Sequence, residues 1–307
     1  MKILVDYHHP QLLKSLKMLF EGRLGAEVYV PRGREWWDEG YYNYYDNEGQ
    51  SLEFLKHEGV TLEAAKEMKF DFIVSTIPLT EGCFLKFLYE CQPQAKHIVV
   101  LGNVGYMPRC ANLMTSTSWN GYLDQHMVRF NQEFDTEMFH GPTYPDKLIT
   151  SFMHHHPAHK DYLFFLELKK LMSDWKFKSY GFNCIDGVLD EQHVASEMRE
   201  SSFIWHVKDV GEGYGHVIHT AAYMGVPMIF RGSFMRGCLS SKYLMNGDTG
   251  IDLDLYGSPE SAMEAIKHYS DPTQLARMGL NLQRIFSENV DFEKEAQDVA
   301  KFLEQCK

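Results

Sequence analysis

Gly211-Glu212-Gly213-Tyr214-Gly215-His216-Val217-Ile218-His219-Thr220-Ala221-Ala222-Tyr223-Met224-Gly225-Val226-Pro227-Met228-Ile229 reads as a loop, a helix, a turn and a strand. Glycines at 213 and 215 let backbone come close to a ligand. The helix that follows turns its free N–H groups and the positive end of its dipole toward whatever sits there, and a phosphate is the natural occupant. Gly225 and Pro227 stop the helix and launch the next strand, which places the loop above the carboxyl edge of a parallel sheet. A glycine-rich loop before a helix does not define a ligand site by itself, because many α/β proteins turn corners that way.

The rest of the chain repeats the α/β alternation. Ile3 to Val5 reads as a buried strand. A helix follows from Pro10 to Arg23 with Leu12, Leu13, Leu16, Leu19 and Phe20 at helical spacing, and Ala26 to Val30 is a second strand. Short apolar runs at 70–75 and 97–101 continue the series, as a parallel sheet covered on both faces requires. A second series starts at Leu148 and runs through a helix over 162–172 and strands near 177–180 and 203–207. Pro142 and Pro145 mark the linker between the two. The tail from Phe292 to Gln305 reads as an amphipathic helix with Ala296, Val299, Ala300 and Leu303 on one face. At 307 residues the chain suits two domains. The expected division is 1–143, 144–290 and a terminal helix over 291–307.

Composition excludes several classes. The net charge of −12 is spread evenly, with 13 basic against 19 acidic residues in 1–145 and 17 against 23 in 146–307, so neither half is a basic module for nucleic acid. Six cysteines without a C-x-x-C pair argue for reduced thiols in a cytoplasm and not for a disulfide scaffold. No signal-peptide architecture or membrane-length apolar run is present, so a cytoplasmic protein without a membrane partner is expected. His154-His155-His156 with His159 nearby raises a metal reading, but three consecutive histidines in an extended loop cannot all face one ion, and no metal is expected. No motif indicates a Ser or Cys triad.

The quoted stretch resembles the donor-site element of retaining GT-B glycosyltransferases of the glycogen-synthase-like group (group 1, family 4-like), whose pattern runs E-G-F-G, four residues, then E-A-M-A-x-G-x-P. Glu212 falls on the first glutamate and Thr220 on the second. Asn246 to Gly250 is similar to the D-G-x-T-G segment of that group, and Asp271 to Asn281 to its D-P-x-L-x-x-R-M-G-x-N helix. Ser287 to Phe292 stands where the group enters its last helix, and Gln132 to Phe139 resembles its interdomain N-G-V-D-x-x-x-F. Thr150 to Tyr162 takes the place of the first C-terminal strand and its G-R-x-x-x-x-K loop, with His155 on the arginine and Lys160 on the lysine. The likeness covers residues 128 to 306.

The resemblance implies two Rossmann-like domains whose parallel sheets face a central cleft, with a C-terminal helix crossing back to the first domain. It implies transfer of a sugar from a nucleotide-diphosphate donor, a UDP-sugar foremost, to an acceptor hydroxyl with retention and with no obligatory cofactor. The catalytic residues expected are Glu212, Lys160 and His155. The donor-binding set is Gly213, Tyr214, Gly215, His216, Thr220 and Arg231, with Arg236 a second substitute for the missing arginine. On the acceptor side stand His8 and His9, in the Asp6-Tyr7-His8-His9-Pro10 loop that replaces the group's glycine-rich turn, and Trp36 and Trp37, which open an aromatic loop running to Tyr45. That loop is either a stacking platform or a set of aromatics pinning a long loop to its domain. Thr220 in place of glutamate leaves ribose recognition open. The acceptor is open between a small molecule, a glycan and, in phage-type members, hydroxymethylated DNA bases. A nucleotide-sugar epimerase, a phosphorylase and a degenerate nucleotide-binding protein remain rivals.

Overall fold

The computed structural model describes residues 1–6, 10–32, 36, 59–76, 87, 90–102, 109–209 and 211–306. They form two compact units, Met1–Phe134 with Asp291–Lys307, and Asp135–Val290. Expectations for His8, His9 and Trp37 lie outside the described residues.

The first unit is built on a parallel sheet. Strand β1 (Lys2–Val5) leads into α1 (Pro10–Lys17), whose winding loosens to π-type over Met18–Arg23. Strands β2 (Glu27–Tyr29), β3 (Phe72–Ser75), β4 (Lys96–Leu101), β5 (Asn112–Thr115) and β6 (His126–Arg129) follow, with a short helix α2 (Leu62–Lys66) before β3. Among the described residues the order is β2-β1-β3-β4-β5-β6, all parallel. β5 and β6 are additions to the sequence reading. β5 is fully buried but polar at both ends, with Asn112 Nδ2 donating to the His97 carbonyl at 2.9 Å, and β6 is a half-buried edge strand, so neither shows an apolar run.

The C-terminal helix α8 is described last in the chain (Phe292–Gln305) but packs in this unit, burying Ala296, Val299, Phe302 and Leu303 against Ile3, Val5, Leu16 and Phe20. Asp291 caps it by accepting from the Lys294 N–H at 3.0 Å, and Glu295 accepts from the backbone and side chain of Asn131. Ala300, expected on the buried face, is half-buried; Phe302 takes the larger share of the contact and stacks on His126 with centroids 4.5 Å apart.

Trp36 corrects one expectation. It is fully buried, lies edge-on to Phe87 at 5.0 Å and donates Nε1–H to the Val60 carbonyl at 3.0 Å. Its ring is part of the core and its one polar atom is engaged, so it pins its segment and offers no stacking face.

In the second unit β7 (Leu148–Ser151), α3 (Tyr162–Leu171), β8 (Lys176–Ser179), α4 (Glu191–Glu200), β9 (Phe203–Trp205), α5 (His216–Met224), β10 (Met228–Phe230) and β11 (Gly250–Asp252) alternate, and α6 (Pro259–Tyr269) and α7 (Pro272–Asn289) close the unit. The sheet order is β11-β10-β9-β7-β8, again all parallel. Chain order therefore reverses between β7 and β9. In open parallel sheets this is the place where connections leave in opposite directions and a crevice opens beyond the carboxyl ends. Ile149, Phe165, Leu168, Phe203, Trp205, Ile229, Ile251, Ile266 and Met278 fill one core. Full burial of each such side chain contributes about 1.5–3 kcal/mol.

Helix α5 is gripped from behind by α7. A β-carbon on Gly279 would lie 2.5 Å from the Gly225 carbonyl oxygen, so a side chain there is excluded. Gln283 of α7 donates to the Tyr223 and Met224 carbonyls at 3.4 and 3.3 Å, meeting acceptors that the end of α5 leaves open.

Candidate donor site

The two strands flanking the reversal, β7 and β9, each end in a polar loop. From β7 the chain passes His154, His155, His156, His159 and Lys160 before α3. The three adjacent histidines diverge. His154 Nδ1 accepts from the Phe182 N–H at 2.8 Å. His155, in left-handed backbone at φ 55°, packs edge-on to Phe182 with Nδ1 3.2 Å from Asn183 Nδ2. His156 is fully buried, 2.8 Å from Ser179 Oγ, and burial with a smaller push from His159 lowers its pKa to about 4. Among the described residues no group of three or more metal-ligating side chains is gathered.

His159 and Lys160 instead reach the β9 loop. His159 Nδ1 lies 2.7 Å from Asp209 Oδ1 and Lys160 Nζ 3.5 Å from Asp209 Oδ2. The His159 hydrogen bond, opposed by burial and helped by Lys160, holds the Asp209 carboxyl below the ordinary range. Lys160 is otherwise in solvent, its side chain 77% exposed, and is free to turn toward a ligand.

Glu212 is the focus of the β9 loop. His206 Nε2 stands 3.2 Å from its Oε2, Lys208 Nζ bridges both oxygens at 3.2 and 3.3 Å, and the Gly213 N–H donates to Oε1 at 3.1 Å. The His206 approach is a close contact and not a well-aligned hydrogen bond, since neither ring nitrogen is so satisfied among the described residues. Burial alone would raise the Glu212 pKa, but His206 and the charge of Lys208 outweigh it and bring it to about 2. The group is ionised at any working pH. Acceptor-only in this state, it can take hydrogen bonds from hydroxyls but cannot donate a proton.

Gly215 caps α5 in left-handed backbone at φ 75°. A β-carbon there would meet Ile218 Cδ1 at 2.9 Å and Glu212 Cγ at 3.0 Å, so the glycine lets the carboxylate stem lie against the helix start. A helix start of this kind, with its first-turn N–H groups beyond the reach of intrahelical acceptors, is the arrangement that favours an anion. The backbone N–H of Glu212 is held by Cys238 Sγ at 3.4 Å, which ties this loop to the segment after β10.

The structure thus gathers Glu212, Gly213, Gly215 and His216 at the carboxyl edge, with Lys160 tied in through Asp209. His155 makes its contacts on the β8 side, with Phe182 and Asn183. Three expected donor contacts are otherwise engaged. Tyr214 is 2% exposed and stacks on the buried His219 ring at 3.9 Å. Thr220 is 1% exposed and its hydroxyl donates back to the His216 and Val217 carbonyls, both at 3.1 Å, which leaves it no hydrogen for a ribose. Arg231 pairs with Asp161 at 2.7 Å and Asp254 at 3.2 Å and lies over the Phe164 ring, so two carboxylates already neutralise it. His206, Lys208, His159 and Asp209 were missed by motif reasoning. Their signal is positional, since they are the polar residues just beyond two strands that prove to be neighbours.

No family model and no curated protein matches the sequence. Solved structures match the fold. The Anabaena protein Alr3699/HepE in complex with UDP-glucose aligns with a TM-score of 0.69 at 14% identity, covering 99% of this chain and 99% of its own. A glycosyltransferase from Rickettsia africae ESF-5 aligns with a TM-score of 0.68 at 12% identity, covering 99% and 98%. Spinosyn forosaminyltransferase SpnP aligns with 0.56 at 13% identity, covering 99% and 100%. The chain has the GT-B fold of glycosyltransferases: two α/β units, each on a parallel sheet.

Proposed function

We propose that this protein is a glycosyltransferase that holds a UDP-sugar at the carboxyl edge of β7 and β9 and passes the sugar to an acceptor hydroxyl. The observation that carries the reading is the meeting, at the sheet's reversal, of an ionised and immobilised Glu212 with the amide-rich start of α5 and the cations Lys208 and Lys160. Diphosphate needs donors and positive charge; a sugar ring needs an acceptor for its hydroxyls. Complexes of Alr3699/HepE with UDP and with UDP-glucose support the same assignment by likeness of fold.

In the reaction the bond from the anomeric carbon to the diphosphate oxygen breaks, with positive charge developing on the sugar and negative charge on the leaving phosphate. The α5 amides and Lys160 stabilise the second, while Glu212 orients the ring and its charge favours the first. Under the retaining course proposed here, the new bond forms to the acceptor oxygen on the face the diphosphate leaves, and the leaving diphosphate takes the acceptor's proton. Because Glu212 stays ionised, no proton passes through it.

Thermal unfolding with a panel of nucleotides tests the donor: UDP and UDP-glucose should raise the melting temperature, by mass action on the folded state. Glu212→Ala and Lys160→Ala should each lower turnover by about 10² or more with the fold intact. Unchanged transfer in both variants would remove the site. A second reading, a nucleotide-binding protein that has lost transfer, is favoured by one observation, the engagement of Thr220 and Arg231 within the protein. Product analysis with UDP-glucose and a range of acceptors separates the two: nucleotide binding without release of UDP supports the second.

A further inference from the structure

The Glu212 carboxylate is crowded. A carboxylate offers about four lone-pair positions. Oε1 faces the Gly213 N–H and the Lys208 ammonium, and Oε2 faces the same ammonium and the His206 ring. With these three neighbours close around it, a sugar hydroxyl that reaches this group competes with one of them for the carboxylate. Burial decides which one leaves. The Gly213 N–H is main chain in a buried turn, and the His206 side chain is 3% exposed directly after β9. Lys208 is 29% exposed, straddles both oxygens without a short contact, and sits on a flexible four-carbon stem. The Glu212 stem lies against Gly215 at the start of α5, and the Lys208 ammonium rests on the carboxylate that this stem carries.

Building on the UDP-sugar reading above, we propose that Lys208 exchanges partners during donor binding. In the free protein its ammonium rests on Glu212; when the nucleotide-sugar arrives it moves to the diphosphate, and a sugar hydroxyl takes its place on the carboxylate, which His206 continues to hold. Lys208 is then a substrate-contacting cation beside Lys160, and Glu212 competes with UDP for it whenever no sugar is present.

Calorimetric titration of the full-length protein with UDP, UMP and uridine tests this on the wild type, Lys208→Ala, Glu212→Gln and the double variant. Lys208→Ala should weaken UDP about ten- to hundredfold, narrow the gap between UDP and UMP, and leave uridine unchanged. Glu212→Gln, which no longer holds the ammonium, should bind UDP about three- to tenfold more tightly while turning over UDP-glucose more slowly. The double variant should bind UDP as Lys208→Ala does. Wild-type affinity for UDP in Lys208→Ala, or no gain in a folded Glu212→Gln, overturns the exchange. A wild type that binds no UDP at all overturns the donor-site reading itself, so the two failures are distinguishable. If Glu212→Gln does not fold, the UDP-to-UMP gap in Lys208→Ala still decides.

Discussion

Replacing Gly215 by alanine isolates what the turn before α5 requires. Gly215 has φ 75°, and its β-carbon would stand 2.9 Å from Ile218 Cδ1 and 3.0 Å from Glu212 Cγ. Gly187 supplies the control: it has φ 79° and open space where a β-carbon would go. Left-handed backbone costs an alanine about 1–2 kcal/mol at either position. The crowding at 215 adds about 1–3 kcal/mol, as extra methyl groups in packed interiors do. Restriction of the unfolded chain is the same in both variants and cancels. Urea unfolding should therefore show Gly187→Ala down by about 1–2 kcal/mol and Gly215→Ala by about 2–5 kcal/mol. The larger loss should come with impaired turnover, because Glu212 is the neighbour displaced. Equal losses in the two variants would refute the argument that Gly215 is required by contact and not by backbone alone.

Other consequences can be measured with the same material. His156 and His219 are buried, and their pKa values fall from 6.5 to about 4 and about 3. The unfolded chain thus takes up their protons first: stability is level above pH 6.5 and falls between pH 6.5 and 4, by up to about 3 kcal/mol per pH unit for the pair. A stability flat from pH 7 to 5 in urea titrations would contradict this. Glu212, lowered from 4.5 to about 2, adds a further loss below pH 4.5. Arg231→Met should destabilise by about 1–3 kcal/mol, since Asp161 and Asp254 lose their partner, yet leave UDP affinity within twofold; a tenfold loss would return Arg231 to the donor site. Thr220→Val should change stability by about 1 kcal/mol or less and leave the ratio of affinities for UDP and 2′-deoxy-UDP unaltered. A changed ratio would show that the hydroxyl reads the ribose.

Strands β1, β3, β4 and β9 were legible because each carries an apolar run flanked by helical periodicity, the mark of a parallel strand buried on both faces, and β7, half polar, was read from its place at the start of the second series. β5 and β6 were not, because Asn112, Thr115, His126 and Arg129 break the run while hydrogen bonds and the cover of α8 satisfy them. At the site, Gly215 was marked by the glycine-rich loop before a helix, while Glu212 and Lys160 were assigned through the resemblance to the family pattern. Thr220 was assigned by position in that pattern and Arg231 as a substitute for its missing arginine, and neither ground can show that a hydroxyl bonds its own helix or that two aspartates reach one guanidinium. Asp209 gains meaning only when β7 and β9 become neighbours, a fact of sheet order with no trace in local sequence, whereas Lys208 and His206 meet Glu212 within their own loop.

The glycine pair Gly225 and Gly279 has a mechanical consequence. With main chain touching main chain at its rear and Gln283 holding its last carbonyls, α5 cannot recoil along its axis when an anion presses on its front. The amides at its tip are therefore oriented before any ligand arrives. If the proposed donor site is right, a bulkier residue at 279 would loosen that anvil from behind and weaken nucleotide capture without changing any of the residues assigned to it.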